Sequence, residues 1–111
     1  MYIGAPGLTA AGQLESQIEI TGVEFKERSR DDRRVSFAWK VSLTNNSSEQ
    51  VEASVIVSFR DASNFEVFSK IGSIILAPGQ SGIITESGRR DIEEWDQVST
   101  ATANIGVAIA L

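Results

Sequence analysis

The stretches VSFAWKVSLT at residues 35–44 and VEASVIVSFRD at residues 51–61 decide the fold, because apolar side chains occupy every second position in both. The alternating apolar residues are Val35, Phe37, Trp39, Val41 and Leu43, then Val51, Ala53, Val55, Val57 and Phe59. A period of two places each set on one face of a pleated strand. Only Ile56 breaks the pattern, on the face that should meet water. We therefore predict a β-hairpin closed by the turn at residues 45–50, with Trp39 and Phe59 in the core.

Shorter apolar runs on either side predict further strands at residues 16–27, 65–71, 73–76, 82–86 and 101–111. A change of phase at Gly22 indicates a β-bulge or a strand that changes sheets. Asp91 and Glu94 have capping-box spacing, which predicts one helical turn at residues 91–95. The fold class expected is an all-β, immunoglobulin-like antiparallel β-sandwich of about seven strands with one short helical turn. Glycine and proline in residues 1–15 predict a flexible N-terminal segment or linker before a sandwich domain at residues 16–111.

The amino-acid composition excludes several classes of catalytic and metal site. The 111 residues include no cysteine and no histidine, which excludes thiol nucleophiles, Ser-His-Asp triads and zinc sites built on these ligands. A net charge of -5 argues against binding to nucleic acid, whose affinity comes mainly from neutralised phosphates. No apolar run approaches the roughly 18 residues that cross a bilayer. We predict no cofactor, no nucleic-acid partner and no transmembrane segment.

The remaining polar groups leave alternatives open. Two acidic clusters, Asp31-Asp32 and Glu93-Glu94 with Asp96, could supply oxygen ligands to calcium or could be solvated surface charge. The stretch NNSS at residues 45–48 contains two overlapping N-glycosylation acceptors or forms a polar turn.

The last strand carries the site prediction. Apolar residues alternate along it, with smaller ones between them: Ala101, Ala103, Ile105, Val107, Ile109 and Leu111 on one face, and Gly106, Ala108 and Ala110 opposite. Exposed apolar edge strands recruit other strands. We predict that Ile105, Val107, Ile109 and Leu111 contact a protein partner or form a homodimer, together with the apolar pairs Ile74-Ile75 and Ile83-Ile84. The alternative is a last strand in the centre of the core.

Residues 39–86 also resemble an FxLYD-type domain, a bacterial immunoglobulin-like sandwich related in layout to the water-stress domain of late embryogenesis abundant proteins. The matching motifs are LTNNS at residues 43–47, VSFRD at residues 57–61 and LAPGQ at residues 76–80. Of the motif that names the family only Asp61 is present, since Val57, Phe59 and Arg60 stand where Phe, Leu and Tyr are expected. The resemblance implies an accessory or adhesive module, often in cell-envelope proteins, and supplies no catalytic residues. It favours an envelope or extracellular location, while the cytoplasm stays open.

The function expected is therefore a non-enzymatic structural or protein–protein interaction module, part of a larger or envelope-associated bacterial protein. One alternative is a small-ligand or glycan-binding sandwich that stacks its ligand on exposed Phe68 or Trp95. A remote alternative is a hydrolase that uses carboxylates alone.

Overall fold

The computed structural model describes residues 14–111 as two facing antiparallel sheets of three strands each. One sheet has the order β1-β2-β5 and the other the order β4-β3-β6. The strands are β1 (Ile18–Arg30), β2 (Arg34–Asn45), β3 (Val51–Arg60), β4 (Glu66–Leu76), β5 (Ser81–Asp91) and β6 (Thr100–Ala110). The all-β sandwich is thus confirmed. Residues 1–13 of the predicted N-terminal segment lie outside the described residues.

The two alternating stretches form the central strands, but they do not form a hairpin. β2 pairs with β1 and β5, while β3 pairs with β4 and β6, so residues 46–50 carry the chain from one sheet to the other. The apolar faces of β2 and β3 meet between the sheets, where Trp39 and Phe59 are buried as predicted. This crossing from one central strand to the other is the connection found in immunoglobulin-type sandwiches.

A buried asparagine holds this crossing in place. Asn45 is fully buried, and its side-chain nitrogen donates to the backbone carbonyls of Glu49, Leu76 and Ala77 at 2.8–3.1 Å. Its Oδ1 accepts hydrogen bonds from the backbone nitrogen and the hydroxyl of Ser47 at 2.9 and 2.7 Å. Buried polar groups must be paired, so Asn45 fixes the β2–β3 connection against the β4–β5 turn.

Six strands are present among residues 14–111, because the two strands predicted at residues 65–71 and 73–76 form the single strand β4. Gly72 lies in the middle of β4, between the two predicted strands, and its Cα is packed against the core. An added Cβ there would lie 2.8 Å from both Ile84 Cγ2 and Trp39 Cη2. The glycine is therefore where the large Trp39 ring approaches the opposite sheet, and it does not end a strand.

The bulge prediction is confirmed, and two turns have regular geometry. The β1–β2 register shifts between Ile20 and Gly22, which confirms the bulge at the glycine. Asp61 Oδ1 accepts the backbone N–H groups of Ser63 and Phe65, an Asx-type turn. Gly79 has φ +75° after Pro78, the geometry of a type II turn.

The predicted helical turn is α1 (Ile92–Trp95), and its Trp95 ring covers one end of the core. The predicted capping box does not form, since Asp91 makes no side-chain hydrogen bond to the turn. Asp91 is still the last residue of β5, paired with Arg34, and its carboxylate lies 3.8 Å from Arg34 Nε. The N–H of Ile92 donates to the Arg33 carbonyl at 3.1 Å, so the β1–β2 turn satisfies the start of the helical turn.

Candidate functional site

Exposed aliphatic side chains gather on the outer surface of the sheet β4-β3-β6. Eight large hydrophobic residues are exposed within residues 14–111, and six of them belong to this surface. We call the group the outer apolar face: Ile56, Ile71, Ile75, Val107, Ile109 and Leu111. The other two are Phe65, in the β3–β4 turn, and Ile83, on the outer side of the opposite sheet.

Strand pairing aligns these side chains in rows across the sheet. Glu52 of β3 pairs with Ile75 on one side and Ile109 on the other. Two residues further along β3, Ser54 pairs with Val107. After two more, Ile56 pairs with Ile71. Directly opposed side chains lie about 4.5–5.5 Å apart at Cβ, so Ile56 and Ile71 are direct neighbours, while the other aliphatic groups surround Glu52 and Ser54.

A bulge in β6 directs its second half outward. Ser54 pairs with Val107 while the next residue, Val55, pairs with Ile105, which leaves Gly106 as the extra residue. Before the bulge, Ile105 packs against the core. After it, Val107 and Ile109 are exposed and Ala108 is buried.

The interface residues predicted from the sequence are therefore divided by this bulge. Val107, Ile109 and Leu111 are exposed, but Ile105 faces inward, so the predicted single apolar face along the whole strand is wrong. The alternative, a central last strand, is wrong too, because β6 lies at the edge of its sheet. That the exposed residues bind a protein stays a prediction.

The predicted apolar pairs of β4 and β5 divide in the same way. Ile75 and Ile83 are exposed, Ile84 is buried, and Ile74 packs against the core. Ile83 is on the sheet opposite Ile75, so the two pairs do not form one surface. The sequence reasoning missed Ile71 as a member of the face. Ile56 could have been identified, because it breaks the alternation of β3.

One carboxylate stands inside the outer apolar face. Glu52 is half-buried between Ile75 and Ile109, and no Lys or Arg within residues 14–111 lies at ion-pair distance from it. A carboxylate loses hydration when an apolar surface covers it, which costs free energy unless a cation or a hydrogen-bond donor arrives with the cover. Glu52 thus restricts which surfaces can pack face to face on this sheet.

The aromatic residues expected at a ligand site are instead part of the core. Phe68 and Trp95 are only 6% and 8% exposed. The Trp95 ring stacks on Phe37 with centroids 4.8 Å apart, and the Phe68 ring stacks on Phe59 at 4.6 Å. The predicted stacking platform on the protein surface is therefore wrong. The apolar periodicity of β3 is strong, but β4 is irregular around residues 67–68, and this hid the inward orientation of Phe68.

The acidic residues are used in local structure. Arg30 donates to both carboxylate oxygens of Glu27 at 3.0 and 2.8 Å and to Asp96 at 2.8 Å, while Trp95 Nε1 donates to Glu27 at 3.1 Å. These hydrogen bonds from Arg30 lower the pKa of Glu27 and of Asp96, and they raise the pKa of Arg30. The network ties α1 to the end of β1.

The first acidic cluster is likewise part of a turn. Asp31 Oδ1 accepts the backbone N–H groups of Arg33 and Arg34 at 2.8 and 2.7 Å, which lowers the pKa of Asp31. Within the described part of the chain, no three acidic residues are grouped closely enough to hold a metal ion.

Only one of the two glycosylation acceptors is accessible. Asn45 is fully buried with its side-chain nitrogen bound to backbone carbonyls, so it cannot carry a glycan in the folded protein. Asn46 is exposed, and its side chain donates to Glu19 at 3.3 Å.

Comparisons with known proteins support the fold alone. No family model matches the chain, and no curated protein matches it. A solved structure, the Northeast Structural Genomics Consortium target SoR45, is similar with a TM-score of 0.50 at 9% identity, over 86% of each chain. A Bordetella pertussis protein, provisionally named ApaA, is similar with a TM-score of 0.38 at 15% identity, over 85% of this chain and 94% of the other. No helix in residues 14–111 has the length and apolar character needed to cross a membrane.

Proposed function

We propose that the protein is a non-enzymatic protein–protein interaction module that binds its partner through the outer apolar face. The observation that carries this proposal is the clustering of six of the eight exposed large hydrophobic residues on one side of one sheet. Scattered exposed hydrophobic residues are ordinary, but a contiguous patch marks an interaction surface. The sandwich core is complete without them, since Trp39, Phe59 and their neighbours are already buried.

The size of the face sets the strength of the contact. Its six side chains together expose the equivalent of about three whole aliphatic side chains. Covering them stabilises a complex by roughly 5–9 kcal/mol, at about 1.5–3 kcal/mol for each complete side chain. Association costs about 4–15 kcal/mol in lost freedom, so the partner must contribute apolar surface of its own. A partner surface that is apolar but carries a cation or a hydrogen-bond donor opposite Glu52 meets this need.

The family setting is a second part of the proposal. Membership of the FxLYD-type domains, with an accessory role in a bacterial cell-envelope protein, rests on the motifs at residues 43–47, 57–61 and 76–80. The first and third motifs are adjacent in space, because Asn45 bonds to the carbonyls of Leu76 and Ala77. A shared turn arrangement of this kind supports the resemblance.

A ligand-binding role has less support. The aromatic residues that would have stacked on a glycan are buried. The outer side of the sheet β1-β2-β5 has a shallow depression of about 320 Å³, lined by Glu24, Lys26, Arg28 and Lys40 among others. Phe25, Ala38 and Trp39 also line it, but it is open to solvent, whereas small-molecule sites usually bury most of their ligand.

Photo-crosslinking in cells tests the proposed interface with a matched control. Ile75 on the outer apolar face and Ile83 on the opposite sheet are 53% and 55% exposed. A benzoylphenylalanine placed at position 75 should give a discrete crosslinked species, and the same residue at position 83 should give only background. A second change, Ile71→Lys, should abolish the species obtained from position 75. Equal crosslinking from both positions, or none from either, would contradict the proposal.

A further inference from the structure

The open side of β6 has properties that set it apart from every other strand edge. β6 is the only one of the six described strands that contains no charged residue. It pairs with β3 on one side, and no described strand pairs with its other side. In sandwiches with this connectivity, a further strand occupies that position. Unpaired backbone N–H and C=O groups in such a row form a template for another strand.

The remaining edge strands carry the protections that β6 lacks. β1 has two bulges and a charged second half, KERSR at residues 26–30. β5 ends in RRD at residues 89–91, and β4 has Lys70 on its inward side, with Nζ near Gly88. Charges and bulges on an edge prevent uncontrolled strand pairing. β6 has one bulge at Gly106, and the chain beyond it remains unprotected.

We propose that β6 pairs antiparallel with β6 of a second copy of this chain, centred on Ile109. This contact is additional to the one proposed for the outer apolar face: it uses the strand edge, and its partner is a second copy of this chain. In that register Ile109 faces its own copy, Val107 faces Leu111, and Ala108 faces Ala110. Leu111 continues β6 in strand geometry, because its backbone N–H donates to the Gln50 carbonyl at 2.9 Å. It can therefore be part of the paired segment.

Self-pairing suits this segment because every cross-strand pair is complementary on its own face. The outward pairs are branched aliphatic residues, which stabilise neighbouring strands, and the inward pairs join buried Ala108 to exposed Ala110, whose small side chains leave room for the second copy. A symmetric pairing places each residue against the same segment of the copy, so a charged strand would bring like charges close together. The absence of charge in β6 removes that penalty.

Glu52 decides between this arrangement and a face-to-face dimer. If two copies packed their outer apolar faces together, the two Glu52 carboxylates would enter one apolar interface without a cation. In the edge-paired dimer three strand spacings separate the two carboxylates, about 14 Å. This distance exceeds the Debye length of about 8–10 Å in ordinary buffer. The second copy is therefore joined through the edge, and the two outer faces become one larger apolar surface.

Single cysteines test this register cleanly, because the natural chain has none. Ile109→Cys, Ile75→Cys and Ile83→Cys replace residues that are 51%, 53% and 55% exposed. Directly opposed residues in antiparallel strands lie within disulfide distance. Under mild oxidation of the purified full chain, Ile109→Cys should form a covalent dimer ~100-fold faster than Ile83→Cys, since paired thiols react at a high effective concentration. A mixture of Val107→Cys and Leu111→Cys should form the heterodimer faster than either variant forms a homodimer.

Sedimentation of the protein without cysteines completes the test. The wild type should sediment as a dimer, Ile109→Lys as a folded monomer, and Ile83→Lys as a dimer. A monomeric wild type at millimolar concentration would overturn the proposal, as would preferential crosslinking at position 75. A dimer that forms only after residues 1–13 are deleted would also overturn it, since that segment would then be the natural occupant. None of these outcomes decides whether position 75 contacts a different protein in cells, so the proposed function is tested separately.

Discussion

Replacing Gly72 by alanine should destabilise the fold by an amount that the geometry sets. The new Cβ would lie 2.8 Å from carbons of both Ile84 and Trp39, where carbon atoms prefer 3.5–4.0 Å. Neither neighbour can move into solvent, since Ile84 is 4% and Trp39 2% exposed. Overpacking of this kind costs about 1–3 kcal/mol. The lower entropy of the unfolded alanine chain returns about 0.4–1 kcal/mol, which leaves a net loss of about 1–2 kcal/mol.

Urea and thermal unfolding measure this effect, and a second glycine provides the control. At Gly22 an added Cβ would lie 3.8 Å or more from Ser42, an ordinary contact, so Gly22→Ala should be neutral or slightly stabilising. Gly72→Ala should lower the melting temperature by roughly 5–10 °C. Adding Trp39→Phe removes the opposing Cη2 atom, so the double variant should be more stable than the sum of the single changes implies. If Gly72→Ala unfolds at the same urea concentration as Gly22→Ala, the close approach of Trp39 to β4 is wrong.

Three further perturbations test the interior and the charge network. Asn45→Ala leaves buried carbonyls without a donor and should cost about 3 kcal/mol in urea unfolding; a loss below 1 kcal/mol would contradict its role. The free energy of unfolding should fall as the pH drops below about 4.5, because Glu27 and Asp96 have folded-state pKa values below their ordinary 4.5 and 3.8 and lose their stabilising contribution on protonation. Arg30→Gln should flatten this acid dependence, and an unchanged slope would show that the network has no energetic effect. Acrylamide should quench neither tryptophan efficiently, since both are less than 10% exposed, and strong quenching would show that an indole ring reaches the surface.

Alternation in the sequence predicts which residues face the core, but it does not identify strand partners. β2 and β3 each show a clear period of two, and their buried residues agree with it except for Ser58, which is covered by its hydrogen-bond partners Glu66 and Arg60. The connection at residues 46–50 is short enough for a hairpin and also long enough to cross between sheets. Burial of Asn45 against the β4–β5 turn selects the crossing, and that contact joins residues 31 and 32 positions apart. Long-range contacts of this kind leave no local pattern.

Only part of the outer apolar face could be predicted from the sequence. Val107, Ile109 and Leu111 could be named, but their separation from Ile105 depends on a bulge at Gly106. A glycine at that position gives a weak signal, because the apolar alternation continues on both sides of it. Whether Phe68 and Trp95 lie inside or outside could not be predicted, since their burial depends on the stacked rings of Phe37 and Phe59.

The most direct test of the central claim is the native size of the protein in a gently prepared cell extract. Wild type, the double variant Ile71→Lys/Ile75→Lys and the control Ile83→Lys would be expressed at the natural level and separated by size. If the outer apolar face is an interface, wild type and Ile83→Lys migrate in the same assembly. The double variant remains folded but migrates at the smaller size of the protein without its partner. Migration of all three at the same size would contradict an interface on this face.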